Sequence, residues 1–379
     1  MTIAIYLGWI RHNKCGGVES FTRNLLDGFS KIENDNKYLL ICSTDNAESF
    51  KLYERDDRFT VVDAGFETAR LKDTILFENF RLDKLVTSYK ANVCFVPCYR
   101  IPMLWKRNKY VAVIHDLQAY HFPENFNPGR RLWLQKGALR SAHSSDKIIA
   151  ISEFVRKDII EKLKCNAQKV VAIHNPILPN LDQEAFLITG QEVRVDKHSY
   201  LYTISALAKN KNLITLLKLI KLIKDEKPEG VSTKLVISGI GFNQKDADNI
   251  DKKTLVEYIE QNNLKEDIIF TGFVSNERRN SLISNSQFFL FPSIFEGFGM
   301  PVVEAMELGA RVITTNCTSI PEVSENKALY VENPFNEREW LQVMKIHLSD
   351  EWKTYQFPQY DTLCVATKYL KEIEETANN

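Results

Sequence analysis

The sequence predicts an α/β protein of two doubly wound, Rossmann-like domains meeting across a cleft. Three observations lead there. Short apolar, β-branched runs alternate with amphipathic segments from end to end, the pattern of parallel sheets wound by helices on both faces. Eleven such runs can be counted, an unusual number for one sheet but ordinary for two sheets of five or six. At 379 residues the chain is long for one domain and comfortable for two.

In order, the strand-like runs of the first half are TIAIYLGWI, KYLLICST, FTVVDAG, ANVCFVPC, YVAVIHD and KIIAIS. The second half has SYLYTIS, TKLVISG, DIIFTGFV, QFFLFPS and ARVITTN. Between them lie segments such as NLITLLKLIKLIKDEK, where Leu213, Leu216, Leu217, Ile220 and Ile223 share one helical face. The break falls at IHNPILPNLDQEAF, where prolines and turn residues follow the last strand of the first half. This divides the chain into residues 1–177 and 178–354, with a final helix within about 355–379 that packs back on the first domain.

Composition narrows the function. The chain is 44% apolar and 26% charged, as in ordinary soluble globular proteins. Its formal net charge is zero, so no long-range field favours nucleic acid. The seven cysteines are scattered without a paired CxxC spacing and read as reduced, mostly buried thiols. The start MTIAIYLGWIRHNK is too short and mixed for a signal peptide, and nothing approaches a membrane span. The expected location is cytoplasmic, at most on a membrane surface.

The most informative stretch is FPSIFEGFGMPVVEAMELGARVITT, residues 291 to 315. An apolar strand leads into a turn that Gly297 and Gly299 allow to come close to a ligand. Pro301 suits the first position of a helix that runs through VVEAMEL and stops at Gly309. The N-terminal pole of that helix attracts anions, phosphates above all. Glu296 at the strand exit and Glu304 in the first helical turn would not bind phosphate, but both accept hydrogen bonds from hydroxyls. A ligand with phosphate between two hydroxyl-rich ends, a nucleotide-sugar, fits that layout. Acids decorating a helix dipole are the plainer alternative.

Taken with KNKNL opening a helix, GG after the first strand and HD after YVAVI, this constellation resembles glycosyltransferase family 4 over essentially the whole chain. The family has the GT-B fold of two facing Rossmann-like domains. The resemblance implies that Glu296 contacts the donor sugar and that Gly297, Phe298, Gly299 and Met300 turn their backbone toward sugar and diphosphate. It implies that Glu304 holds the ribose, that Lys211 neutralises the diphosphate, and that Gly16 and Gly17 let backbone approach donor and acceptor. His115 is placed near the donor sugar with Asp116 beside it, while Gly239 and Gly272, Phe273 and Val274 surround the base. Ser152 of the ISEF segment reads as a helix N-cap. In one respect the chain departs from the pattern. Many members carry an arginine five or six residues before the lysine, whereas here Ser205 and Ala206 stand there in ISALAK. Either Lys209 supplies a second positive charge or Lys211 and backbone donors suffice, and lysine cannot reproduce arginine's fork.

The implied activity is transfer of a hexose from a nucleoside-diphosphate sugar to an acceptor hydroxyl with retention, by a front-face reaction in which Glu296 positions rather than attacks. No Asp-x-Asp metal motif suited to a diphosphate–metal bridge stands out, and neither a metal nor another cofactor is expected. HDLQAYHFPENF looks like bacterial members that build surface polysaccharides with mannose-, rhamnose- or glucose-type donors. Tyr120, His121, Phe122 and Glu124 could line the acceptor side or simply pack. The basic, leucine-bearing stretches MLWKRNKY and NPGRRLWLQKGALR, the latter with Arg130, Arg131, Lys136 and Arg140, could rest on anionic lipid beside a lipid-linked acceptor. Rival classes are a nucleotide-sugar epimerase or phosphorylase on the same architecture and a non-catalytic sugar- or nucleotide-binding protein.

Overall fold

The computed structural model describes residues 1–11, 16–102, 104, 106–178, 197–240 and 250–379. Its contacts divide the chain into two units, Met1–Leu178 with Pro358–Asn379, and Pro179–Phe357.

The first unit carries β1 (Thr2–Tyr6), β2 (Lys37–Cys42), β3 (Phe59–Asp63), β4 (Val93–Val96), β5 (Tyr110–Ile114), β6 (Lys147–Ala150) and β7 (Val170–Ala172). They form one parallel sheet in the order β3-β2-β1-β4-β5-β6-β7. The crossovers use α1 (Gly17–Lys31), α2 (Leu71–Leu76), α3 (Leu82–Ser88), α4 (Gln118–His121), α5 (Pro128–Ser144) and α6 (Glu153–Leu163). Strands β4 and β5 are buried throughout and β1 from Ile3 onward. That burial on both faces is why they read as continuous apolar runs rather than as alternation.

The second unit carries β8 (Leu201–Ile204), α7 (Leu213–Glu226), β9 (Leu235–Ser238), α8 (Ile250–Gln261), β10 (Ile268–Gly272), α9 (Asn276–Ser284) and β11 (Phe288–Phe291). Then follow α10 (Met300–Glu307), β12 (Val312–Thr315), α11 (Ile320–Val323), β13 (Leu329–Val331) and α12 (Glu337–Ile346). Its parallel sheet runs β10-β9-β8-β11-β12-β13. The leucine face of α7 is buried as its spacing predicts, with Trp340 and Met344 of α12 in the same core. The last helix, α13 (Thr362–Asn378), returns to the first unit and lies on α1. Gly28 makes this approach possible, because a Cβ there would stand 2.4 Å from Ala366 Cβ and 2.7 Å from the Thr362 carbonyl oxygen.

The sheets have seven and six strands among the described residues, so the second falls within the expected five or six and the first exceeds it by one. The two additions, β7 and β13, span three residues apiece. Runs that short have no measurable periodicity; they become strands only because a neighbouring strand offers them a ladder. Cys42, Cys94, Cys98 and Cys165 are buried free thiols and Cys317 and Cys364 are half-buried, whereas Cys15 lies outside the described residues.

Candidate active site

Each sheet reverses its strand order once, between β1 and β4 in the first unit and between β8 and β11 in the second. Loops leaving the carboxyl ends of two such strands diverge to opposite faces and leave a crevice where α/β proteins bind ligands. In the second unit the loop after β8 carries Lys209 and Lys211, and the loop after β11 carries Glu296 to Met300.

Backbone and amide bonds stitch these loops together. Ile294 N–H donates to the Asn210 carbonyl at 2.8 Å, and the Asn210 side chain donates to the Phe295 carbonyl at 3.1 Å. The seam delivers Lys211 to Glu296, 85 positions away in sequence, with Nζ 2.5 Å from Oε1. Their side chains are 25% and 14% exposed. Lys209 is exposed.

The turn after β11 is braced from behind. Thr318 Oγ1 accepts the Glu296 N–H at 3.1 Å, while Ser319 Oγ donates to the Glu296 and Phe298 carbonyls at 3.0 and 3.1 Å. Gly297 and Gly299 are buried, and Phe298 packs into the core at 2% exposure, so its ring cannot face a ligand. Gly299 takes φ +91°, a conformation that favours glycine, and no side chain caps the α10 N-terminus behind it. The helix begins at Met300, so Pro301 holds its second position rather than the first, and Glu304 falls one position deeper, just past the first turn. There Arg279 on α9 approaches it, Nη2 standing 3.7 Å from Glu304 Oε1. Nothing in the sequence singles out Arg279, because an Arg-Arg pair in a polar helix looks like solvated surface.

Two other positions are set by the fold. Asn212 does not cap α7 with its side chain. It sits in the left-handed region at φ 48°, donates to the Pro334 carbonyl at 2.8 Å and accepts from Thr215 Oγ1 at 2.8 Å. Gly239 is needed by the protein itself: at φ +87°, a Cβ would stand 2.6 Å from the Ser205 carbonyl oxygen. Its N–H donates to the Gly272 carbonyl at 2.9 Å and is not available to a base. Gly272 has open space above it, Val274 is half-buried, and Phe273 is 86% exposed. Beneath them Tyr202 Oη donates to Ser238 Oγ at 2.8 Å, and Ser238 meets Thr271 Oγ1 at 2.6 Å, tying the ends of β8, β9 and β10.

In the first unit, Gly16 takes φ 57° as the N-cap of α1, and a Cβ on Gly16 or Gly17 would meet nothing within 4 Å. Gly16 therefore answers to backbone conformation, not to crowding. His115 follows β5, with Nε2 2.9 Å from the Pro97 carbonyl. A carbonyl only accepts, so Nε2 carries the proton and Nδ1 remains an acceptor. Burial pushes the imidazole pKa down to about 4, which keeps the ring neutral near pH 7. Asp116 accepts the Gln118 N–H at 2.9 Å, a local turn. Tyr120 donates to the Gln135 carbonyl at 3.0 Å and His121 meets Asp158 at 2.9 Å, bracing α4 against α5 and α6. Phe122 is half-buried and Glu124 exposed. Ser152 caps α6 by accepting the Val155 N–H at 3.1 Å. On α5, Arg130, Arg131 and Lys136 are exposed together with Leu132 and Leu139, whereas Arg140 is spent on the Pro102 carbonyl at 3.1 Å. Among the described residues, no group of three or more His, Cys, Asp or Glu could hold a metal ion, and no helix is long and apolar enough to cross a membrane.

Two Rossmann-like units, the second with an acid-flanked helix terminus at its switch point, define the GT-B class of α/β protein. Comparison with known proteins agrees. Residues 15–181 match the family model described as Glycosyltransferase Family 4, and residues 187–360 match that of Glycosyl transferases group 1. The chain belongs to this glycosyltransferase family and is a glycosyltransferase. Among its relatives, O-antigen chain mannosyltransferase B of Escherichia coli is 25% identical over 70% of this chain and 68% of its own length. O-antigen chain mannosyltransferase RfbU of Salmonella typhimurium is 26% identical over 65% of this chain and 62% of its own. The match to the serotype-specific mannosyltransferase WbdA of Escherichia coli takes up only 30% of that longer protein. Among solved structures, Anabaena HepE in complex with UDP and glucose superimposes with a TM-score of 0.67 at 16% identity, covering 100% of this chain and 98% of that one. WaaG, a glycosyltransferase involved in lipopolysaccharide biosynthesis, gives 0.64 at 13% identity over 100% and 95%. At such identities the structures speak for the fold alone.

Proposed function

We propose that this glycosyltransferase moves a hexose of mannose, rhamnose or glucose type from a nucleoside-diphosphate sugar to a hydroxyl of a glycan or lipid-linked acceptor, with retention, in bacterial O-antigen or lipopolysaccharide-type synthesis. The observation that carries it is Lys211 held on Glu296 beside the uncapped N-terminus of α10, with Glu304 on the same helix. In this reading the ammonium and the helix pole take the charge that develops on the departing diphosphate, and neither a metal nor another cofactor is needed. The two carboxylates accept hydroxyls, Glu296 from the sugar and Glu304 from the ribose. A carboxylate that shares its charge with a lysine is a weak nucleophile, which suits Glu296 as a positioning group. His115, neutral and with its proton committed to Pro97, would accept from a sugar hydroxyl at Nδ1. The O-antigen mannosyltransferases among the relatives support mannose as the first sugar to try. The exposed leucines and cations of α5 support work at the inner face of a membrane, on a lipid-linked acceptor.

Thermal stabilisation across UDP, GDP, ADP and dTDP, each alone and with its sugars, tests the donor site. A ligand at a hundredfold excess over its Kd stabilises the folded state by about 2.7 kcal/mol. A clear rise with one nucleotide, weakened in Lys211→Ala, is expected; no rise with any of the four overturns the proposal.

A further inference from the structure

Glu296 and Glu304 each face a cation, and the two cations differ. Lys211 sits on Glu296 at 2.5 Å, whereas Arg279 stands off Glu304 at 3.7 Å. Arg279 is held from the side: Nε and Nη2 donate to Asn280 Oδ1 at 3.2 and 3.1 Å, leaving Nη1 without a protein partner among the described residues. Its side chain remains 25% exposed while Glu304 is at 13%. A planar fork aimed at a carboxylate yet not locked onto it has donors to give to a second anion. The usual place for a second cation, before Lys211, has none to offer: Ser205 is buried, with its hydroxyl on the Ala206 carbonyl at 3.0 Å, and Ala206 has no polar side chain. The Ser205 backbone is also pressed against Gly239, so that position is closed by packing.

We propose that Arg279 is the second anion-binding residue of the donor site, an inference that rests on the donor reading above. In the free protein it neutralises Glu304. When ribose hydroxyls take over that carboxylate, the guanidinium turns its unused donors to the diphosphate, so that Lys211 and Arg279 grip the anion from its two ends. The exchange keeps both charges of the part-buried Arg279–Glu304 pair satisfied in either state, which a lone lysine could not do.

Isothermal titration with UDP, GDP, ADP and dTDP and with the matching nucleosides tests this on wild type, Arg279→Ala and Arg279→Lys. The expected result is a nucleoside diphosphate affinity lowered about tenfold or more in Arg279→Ala, the loss of one charge-assisted contact. Nucleoside affinity should change little, and lysine should restore the diphosphate only in part. Two results overturn the assignment: diphosphate affinity unchanged in Arg279→Ala, or diphosphate and nucleoside weakened equally, which would leave Arg279 acting only through Glu304. A wild-type protein that binds none of the four diphosphates would instead sink the donor-site reading itself, and this assignment with it.

Discussion

Lys211→Ala breaks a contact that serves both the fold and the proposed chemistry, and the two consequences can be measured apart. A fully buried ion pair that loses one partner costs about 3–5 kcal/mol, while exposed pairs contribute at most about 1 kcal/mol. With side chains 25% and 14% exposed, the Lys211–Glu296 pair falls between, and a loss of about 1–3 kcal/mol is expected. For a domain of this size that is a fall in Tm of roughly 2–12 °C. Turnover should fall further, about 100- to 1,000-fold, as when one group stabilising developing charge is removed. Glu296→Gln makes the contrast. It keeps the shape and frees the lysine, whose ammonium can still reach water, so the stability loss is smaller. Binding of the nucleoside diphosphate without sugar should hold or tighten in Glu296→Gln, because the lysine no longer has to be shared, while turnover collapses. A double-mutant cycle on diphosphate affinity should show a coupling of about 0.5–3 kcal/mol. Differential scanning calorimetry, titration and sugar-transfer assays on the four proteins read all three quantities. Equal weakening of diphosphate binding by Lys211→Ala and Glu296→Gln would refute the division of labour, as would full turnover in Lys211→Ala.

Two further outcomes follow from other parts of the molecule. Glu307 ends α10, and burial, reinforced by the charge of Glu304, raises its carboxyl pKa from 4.5 to about 7. The folded state therefore holds a proton that the unfolded chain releases, so this stability is fully present below about pH 4.5 and is lost as pH rises through about 7. Tm should decline across that window in wild type and decline less in Glu307→Gln; parallel curves would contradict the assignment. On α5, reversing Arg130 and Arg131 to glutamate should release the protein from vesicles containing anionic phospholipid in a flotation assay. Unchanged flotation would remove α5 from the proposed membrane contact.

Much of the molecule was open to inspection in the sequence. The strands at the sheet centres announced themselves because parallel strands buried on both faces leave long apolar runs, and the face of α7 was written in Leu213, Leu216, Leu217, Ile220 and Ile223. Local rules also placed Ser152 as a cap and Gly309 past the end of α10, since caps depend on neighbours along the chain. The strand–turn–helix around Glu296 was legible for the same reason. What the sequence could not contain was which side chains meet across the sheet. Lys211 meets Glu296 because β8 pairs with β11, and Arg279 meets Glu304 because α9 and α10 flank β11. Gly239 looked like a ligand-facing glycine, yet the Ser205 backbone is what excludes a Cβ there. His115 gave no sign that its Nε2 proton belongs to Pro97. The sequence alone determined the central elements and the residue types of the site, because those depend on local geometry and on periodic burial. Only the tertiary structure decided which carboxylate faces which cation, because strand order in a parallel sheet is a long-range choice that no neighbouring residue records.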